Sequence, residues 1–421
     1  MHRHLAGASP TSFRTRIGVG LLSLAAALSS LTLAGGTATA ATPSGSPIYF
    51  GAVMALTGQL ASYDVPALQG LKAEVTLLNA KGGVNGHKVV LVYRDDQSNP
   101  ANVAPALQSL MGQYKLAYLL PELIPNFQST MLPYTKQAKI ITASSTDGPG
   151  LFDASTNPYN YQTYPSTGTV IAEVAAIKKV HGSGPLKLAI INDGDSAQVE
   201  FANQVASSVK ASGGKVVYTT TVDPTATDIS LEVGKAQGAG ANFLLLQSAP
   251  PTCIAGANGV QTVGWKVPVL VGAACMNSAV LSTVPSSVAP RYYALGQRTY
   301  LRDPATGGPP PSYKPFVAAL KKTGPIRDLA VSADAADTES IAAWGMQTAK
   351  TASGAAVAKV LNKTSKVKLP KGRLLTLPNP PWTATNHTFD NANLSQFWAL
   401  MSPGTPVNGT YKGQVLVVPS T

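Results

Sequence analysis

The residues with the clearest capacity for chemistry are the run Gly194-Asp195-Ser196-Ala197-Gln198, the two cysteines, and three histidines far from the N-terminus. The run begins like a nucleophile elbow, in which a tight strand-to-helix turn exposes a serine hydroxyl. Gln198 stands where that motif needs its closing glycine. Ser196 is therefore expected to cap the helix that starts there, not to attack a substrate. His87, His181 and His387 are isolated in loop-like sequence, so they read as surface residues, not as metal ligands or general bases. The sequence contains no G-x-x-x-x-G-K-[ST] phosphate loop, no H-E-x-x-H and no G-x-G-x-x-G. The reading is of a protein that is not an enzyme and uses no metal and no cofactor.

Charge gives no stronger lead. Lys and Arg number 32 against 20 Asp and Glu, for a net charge of +12. The basic residues are scattered, whereas nucleic-acid binding favours a dense basic stripe with interleaved aromatics. Doublets occur at Lys178-Lys179 and Lys321-Lys322, and the single cluster is Lys363–Arg373. That cluster reads as a solvated loop, with contact to an anionic envelope surface or a partner as the sharper alternative. No nucleic-acid partner is expected.

These residues sit in a chain of 421, too long for one ordinary domain. Charged residues make up 12%, about half the usual share of roughly 25%. Residues 1–40 read as a signal peptide. Arg3, Arg14 and Arg16 precede an apolar run from Ile17 to Ala34, and Ala38-Thr39-Ala40 forms an A-x-A site before Ala41. An N-terminal membrane anchor is the alternative. No cysteine lies near the cleavage point and no twin-arginine pair is present, so neither lipid attachment nor twin-arginine export is expected. The expected destination is the periplasmic, cell-envelope or extracellular space.

Beyond residue 40, strand and helix patterns alternate. Ile48–Val53 is an apolar strand, and Leu68, Leu71, Val75 and Leu78 recur at helical spacing. Gly82-Gly83 and Asn85-Gly86 mark a turn before the β-branched run Val89–Tyr93. Leu116–Leu120 and Lys139–Thr142 read as buried strands. A second set follows Tyr164-Pro165, with strands at Leu188–Ile191, Val216–Thr219, Phe243–Leu246 and Val267–Val271. Asp303–Pro315 reads as a surface loop, Asp337–Lys350 as a helix, and Phe397–Met401 and Gln414–Val418 as late strands. This order predicts an α/β protein of two doubly wound lobes with parallel sheets covered on both faces.

Cys253 and Cys275 each follow an apolar strand. Neighbouring parallel strands would bring these ends together, and an oxidising compartment then favours a Cys253–Cys275 disulfide over two unpaired thiols.

The segment Gly51-Ala52-Val53-Met54-Ala55-Leu56-Thr57-Gly58 is similar to the first strand and loop of type I periplasmic solute-binding proteins. It continues as Asn79-Ala80-Lys81-Gly82-Gly83-Val84-Asn85-Gly86, then Val89–Arg94 and the acidic pair Asp95-Asp96. Helix, Gly-Gly-Val-x-Gly turn, strand and acidic pair together resemble the branched-chain amino-acid (Leu/Ile/Val) binding family of ABC transporters. The resemblance covers Pro47 to about Ser282 and is weaker beyond.

It implies two lobes joined by a three-segment hinge, with crossings near Tyr164-Pro165, near Tyr292–Gln297 and after about Asn362. Lobe 1 would comprise residues 47–164 and 297–362, and lobe 2 residues 165–296 and 363–421. Ligand would lie between them, beyond the carboxyl ends of the strands. The implied ligand-binding set is Thr57, Tyr63, Glu122, Ser144, Ser145, Thr146, Asp195, Gln247 and Ser248. Tyr63 would wall the ligand, while Ser144, Ser145 and Thr146 would hold a carboxylate and an amine.

The chain departs from the family pattern in four places. Pro121-Glu122-Leu123 replaces a serine-bearing loop. Family aromatics fall on Ala197 and near Ala249. The acid that pairs with an α-amino group falls in Gly272-Ala273-Ala274, where none exists. Glu122 or Asp195 would have to substitute. The implied function is capture of a small amino-acid-like or other organic ligand and its delivery to an ABC-type permease, by a monomer. The alternatives are a ligand-sensing module for a receptor and a secreted hydrolase.

Overall fold

In the computed structural model, the described residues are 43–121, 123–146, 148, 150–305, 307–389, 394 and 397–418, with backbone alone at 166 and 167. The expected signal peptide and Glu122 lie outside them.

The first part of the chain runs β1 (Gly45–Met54), α1 (Ala61–Ala80), β2 (His87–Asp95), α2 (Pro100–Gln113), β3 (Leu116–Leu120), α3 (Pro125–Ala138), β4 (Ile141–Ser144) and β5 (Asn160–Gln162). The second part runs α4 (Ser166–His181), β6 (Lys187–Asn192), α5 (Ser196–Ala211), β7 (Lys215–Thr221), α6 (Ser230–Gly238), β8 (Phe243–Gln247), α7 (Pro250–Thr262), β9 (Val269–Val271), α8 (Ser278–Leu281) and β10 (Tyr292–Gln297). The remainder holds α9 (Lys314–Lys321), α10 (Leu329–Ala349), α11 (Gly354–Leu361), β11 (Trp398–Met401) and β12 (Gly413–Leu416).

Two sheets result. One is parallel throughout, in the order β2-β1-β3-β4-β5. The other is ordered β12-β11-β10-β9-β8-β6-β7; it is parallel from β7 to β10, and β11 and β12 close it as antiparallel strands. Strand side chains alternate between two apolar layers, as a period of two demands. In β1, Phe50, Ala52 and Met54 face one cluster and Val53 the other. In β8, Phe243 and Leu245 face one layer while Leu244 and Leu246 face its opposite. Both faces of each sheet are therefore covered, which explains why the strands read as unbroken apolar runs. The fold is the expected two-lobed α/β architecture.

The Gly-Gly-Val-x-Gly segment has a clear structural reason. Gly82, Gly83, Asn85 and Gly86 all have positive φ, and a Cβ at Gly83 would come within 2.0 Å of His87 O. Asn79 locks this turn to β2. Its Nδ2 donates to Val89 O, and its Oδ1 accepts from Val89 N, each at 2.8 Å.

Helix α10 begins at Leu329, eight residues before the expected start at Asp337. Asp328 caps it, its Oδ1 accepting from Ala330 N at 2.9 Å and Val331 N at 3.1 Å. Every residue from Leu329 to Met346 is buried, Asp334, Asp337 and Glu339 included. The buried acids make the helix look polar in sequence, although it is an internal element packed on α1, β3 and β4.

The chain passes between the sheets after β5 and again after β10. The third passage was expected after about Asn362, but the segment 362–389 stays against the first sheet. Trp382 Nε1 donates to Gln162 O at 3.0 Å, Phe389 N donates to Gln162 Oε1 at 3.0 Å, and His387 Nδ1 donates to Asn160 O at 3.0 Å. His387 is thus a buried strut and not a surface residue; burial pushes its pKa down to about 4. In the basic cluster, Lys363, Lys366, Lys368 and Lys371 are exposed. Arg373 instead turns inward and donates to Ser340 O. No helix among the described residues is long and apolar enough to cross a membrane.

Candidate ligand cleft

A cavity of about 810 Å³ lies where the carboxyl ends of the strands of both sheets converge. Helices α1, α3, α5 and α7 all begin at its rim, because each follows a strand of its sheet directly. That volume suits a small organic molecule.

Five of the sequence-selected residues line it: Tyr63, Ser145 and Thr146 from the first lobe, and Asp195 and Gln247 from the second. Three others are committed to scaffold roles. Thr57 donates its hydroxyl to Asp95 Oδ2 at 2.7 Å, and Asp95 Oδ1 also accepts from Leu56 N and Gln97 N. Burial opposes ionisation of Asp95, but these hydrogen bonds win and hold its pKa below the usual value. Ser144 is fully buried at the end of β4, and its hydroxyl donates to Gln128 Oε1 at 3.3 Å. Ser248 is fully buried beside the disulfide, 3.2 Å from Cys253 Sγ. Small hydroxyl residues at strand ends face either the cleft or the core, and the register that decides this is not visible in composition.

Asp195, not Ser196, caps α5. Its Oδ1 accepts from Ala197 N at 3.0 Å and Gln198 N at 3.4 Å. Ser196 is the first helical residue, and its hydroxyl reaches Asn126 Oδ1 of α3 at 3.5 Å, spanning the mouth of the cleft from one lobe to the other. This is at the outer limit for a hydrogen bond.

Several lining residues were missed in the sequence. The aromatic absent at Ala197 reappears one helical turn later as Phe201. Phe127, Tyr164 and Tyr300 supply further rings, and Asn126, Gln198 and Asp193 further polar groups. An aromatic four residues from its expected place on a helix keeps the same face, and a search at i+4 would have found Phe201.

Carboxyl groups dominate the electrostatics of the cleft. Asp193 accepts from Ala249 N and from Asp195 N, the latter at 3.2 Å. Burial raises the pKa of both Asp193 and Asp195 above the ordinary value. Asp334 of α10 accepts from Thr376 Oγ1 at 2.7 Å, Gln297 Nε2 at 2.8 Å and Tyr300 Oη at 3.4 Å. Burial nevertheless pushes its pKa up to about 7. Behind Gln247, the fully buried Glu173 is raised by burial to about 8, opposed only in part by a hydrogen bond from Gln247.

The disulfide Cys253–Cys275 links the start of α7 to the loop after β9, with Cα atoms 6.3 Å apart. It ties together the two second-lobe loops that carry Ala249–Pro251 and Ala273-Ala274 on the cleft wall. Among the described residues no group of three or more His, Cys, Asp or Glu could hold a metal ion.

Known proteins resemble this chain in sequence and in fold. A Leu/Ile/Val-binding protein homolog from Brucella melitensis is 24% identical over 333 residues, 78% of this chain and 86% of its own. A solute-binding protein of an ABC transporter from R. palustris, solved with 4-hydroxybenzoate, superposes with a TM-score of 0.72 at 18% identity, covering 89% of this chain and 97% of its own. A branched-chain amino acid transporter substrate-binding protein from Streptococcus pneumoniae, solved with isoleucine, gives a TM-score of 0.69 at 18% identity, covering 89% and 100%. The sequence profile of the periplasmic binding protein family matches residues 47–392, most of the chain, and the protein belongs to that family.

Proposed function

We propose that the protein captures a small organic molecule, amino-acid-like or aromatic, in the cleft between its lobes and delivers it unchanged to an ABC-type permease. One observation carries this reading: Tyr63, Ser145 and Thr146 of one lobe and Asp195 and Gln247 of the other line the same cavity of about 810 Å³. Hydroxyls on one wall and acceptors on the other can orient a polar guest, and the aromatic rings can cover its apolar body. Closure of the two lobes around the guest is a hinge motion and requires no bond-making. The relatives bound to 4-hydroxybenzoate and isoleucine support a ligand of this size. The protein would act as a monomer in the envelope space, reached through the N-terminal signal in residues 1–40.

The test is a thermal-shift panel of amino acids, amides, aromatic acids and small peptides, followed by calorimetry. A ligand that binds only the folded state raises Tm. Tyr63→Ala and Thr146→Ala should each weaken that ligand at least tenfold while far-ultraviolet circular dichroism stays unchanged. Unchanged affinity in both variants would reject the site.

A further inference from the structure

Charge is segregated along the strand direction. The carboxyl ends of the strands point at the cleft, so strand amino ends and the C-termini of the connecting helices lie at the far end of each sheet. In the first lobe that end carries Lys81 after α1, Lys88 at the start of β2, Lys115 before β3, Lys136 and Lys139 at the end of α3, and Lys350 after α10, all exposed. Two contacts bring the end of α10 to the α1–β2 turn: Asn85 Nδ2 donates to Met346 O at 3.0 Å, and Gln347 Nε2 donates to Gly83 O at 3.3 Å. In the second lobe the far end carries Lys178 and Lys179 in the last turn of α4, Lys187 at the start of β6, Lys210 in the last turn of α5, Lys215 at the start of β7 and Lys266 before β9, again all exposed.

Among the described residues no Asp or Glu stands in those helix ends or in the turns from them into the strands. Acids gather at the opposite ends instead, with Asp95 and Asp96 at the end of β2, Asp193 and Asp195 after β6, and Asp223 and Asp228 after β7. The molecule thus has two basic poles that face away from each other, and none of the pole lysines borders the cleft.

The helix dipole favours cations at helix C-termini and accounts for the lysines there. It does not account for those at strand starts. Lys187 and Lys215 are register partners on the adjacent strands β6 and β7. Like charges so placed repel, and an anion lying across both relieves the repulsion.

The residue type and the placement together describe the partner. An ammonium on a flexible stem is a point charge, without the fixed fork that selects one phosphate or carboxylate geometry. The poles therefore suit many weak contacts with a repeated charge, not one bound ion. A flat anionic membrane can meet only one pole at a time, whereas a flexible chain can drape over either.

We propose that the two poles bind a flexible polyanionic polymer of the cell envelope, a chain of repeated phosphate or carboxylate groups, and so hold the protein there with its cleft free. This rests on the envelope location proposed above.

The probes are long-chain polyphosphate and polyglutamate, which separate the two anionic groups, with phosphatidylglycerol vesicles and a DNA duplex for comparison. Each is titrated into the whole protein. At least one of the two flexible polymers should bind more tightly than either comparison, and its affinity should fall at least tenfold between about 50 and 200 mM salt. Lys81→Gln/Lys88→Gln/Lys139→Gln and Lys187→Gln/Lys210→Gln/Lys215→Gln should each weaken it at least threefold, and the six together at least tenfold. The control Lys321→Gln/Lys322→Gln/Arg327→Gln removes the same charge from the α9–α10 connection, which Gln69 of the first lobe and Ser278 of the second hold between the poles. It should change affinity less than twofold. Circular dichroism checks that every variant is folded.

Failure of both flexible polymers to bind at low salt, a control as damaging as a pole variant, or vesicles or duplex binding as tightly as the better polymer overturns the proposal. Tyr63→Ala should leave polymer binding unchanged; loss there would place the polymer in the cleft and also overturn it. Small-ligand binding is read separately, so the cleft assignment survives failure of the poles.

Discussion

Gly70 of α1 lies directly against Ser332 of α10, so close that a Cβ on Gly70 would come within 1.9 Å of the Ser332 carbonyl oxygen. The obstacle is backbone, flanked by a Ser332 hydroxyl that donates to Pro66 O at 2.8 Å, so neither helix can yield locally. Gly70→Ala should destabilise the protein by about 1–3 kcal/mol, the usual cost of overpacking. The midpoint of urea unfolding measures it; a midpoint equal to that of the parent would show that the helices separate freely.

The turn that most clearly marks the family in sequence should be equally sensitive. Asn79→Ala removes both hydrogen bonds to Val89 and leaves that backbone pair short of partners. The expected loss is about 1–3 kcal/mol. Asn79→Asp should fall between the two, since it keeps the acceptor and loses the donor.

How far the sequence reveals such features depends on what sets them. Strands β3 and β8 are legible because both faces are buried and their residues are uniformly apolar. The cysteine pairing is legible because adjacent parallel strands fix where their ends must lie. The start of α10 is not, because Asp334 and Asp337 are satisfied only by distant groups, Thr376 and Leu375 among them, and burial raises the pKa of Glu339. The path of 362–389 is hidden for the same reason: Trp382, His387 and Phe389 hold it through the backbone and side chains of β5. In the cleft, Tyr63 and Thr146 follow from motif position, whereas Phe201 and Asp334 depend on helix phase and on a helix contributed from late in the chain.

Stability should fall as pH rises through neutrality. Burial raises Glu74 to about 7, Asp334 to about 7 and Glu173 to about 8. An acid whose native pKa exceeds its unfolded value holds its proton more tightly when folded. Its contribution is complete below about pH 4 and is lost as pH rises through 7 to 8. Asp95, with a lowered pKa, acts in the opposite sense under more acidic conditions, and His387, lowered from 6.5 to about 4 by burial, offsets part of the gain as pH falls, one group against three. The unfolding midpoint should therefore be higher at pH 5 than at pH 8. Glu173→Gln should raise stability at pH 8 by on the order of 1 kcal/mol or more and change it little at pH 5. Parallel pH profiles for parent and variant would count against this.

Opening the disulfide should loosen the second-lobe wall before it unfolds the first lobe. Closing a loop of 22 residues contributes about 3 kcal/mol in the chain-entropy model. Cys253→Ser/Cys275→Ser should lower Tm accordingly, and hydrogen exchange should rise first in 248–277 while β1–β4 stay protected. Uniform loss of protection would mean that the bridge acts on the whole chain.

The placement of α10 bears on how the polypeptide matures. This helix covers one face of the first sheet, yet it is encoded after all the parallel strands of the second. A ribosome that has finished residues 45–162 has released a sheet with that side covered only by α1, and it must synthesise nearly 190 further residues before α10 is complete. The N-terminal half therefore lacks part of its cover until α10 emerges, and the side chains of β3 and β4 that pack on α10 wait on the nascent chain for that interval.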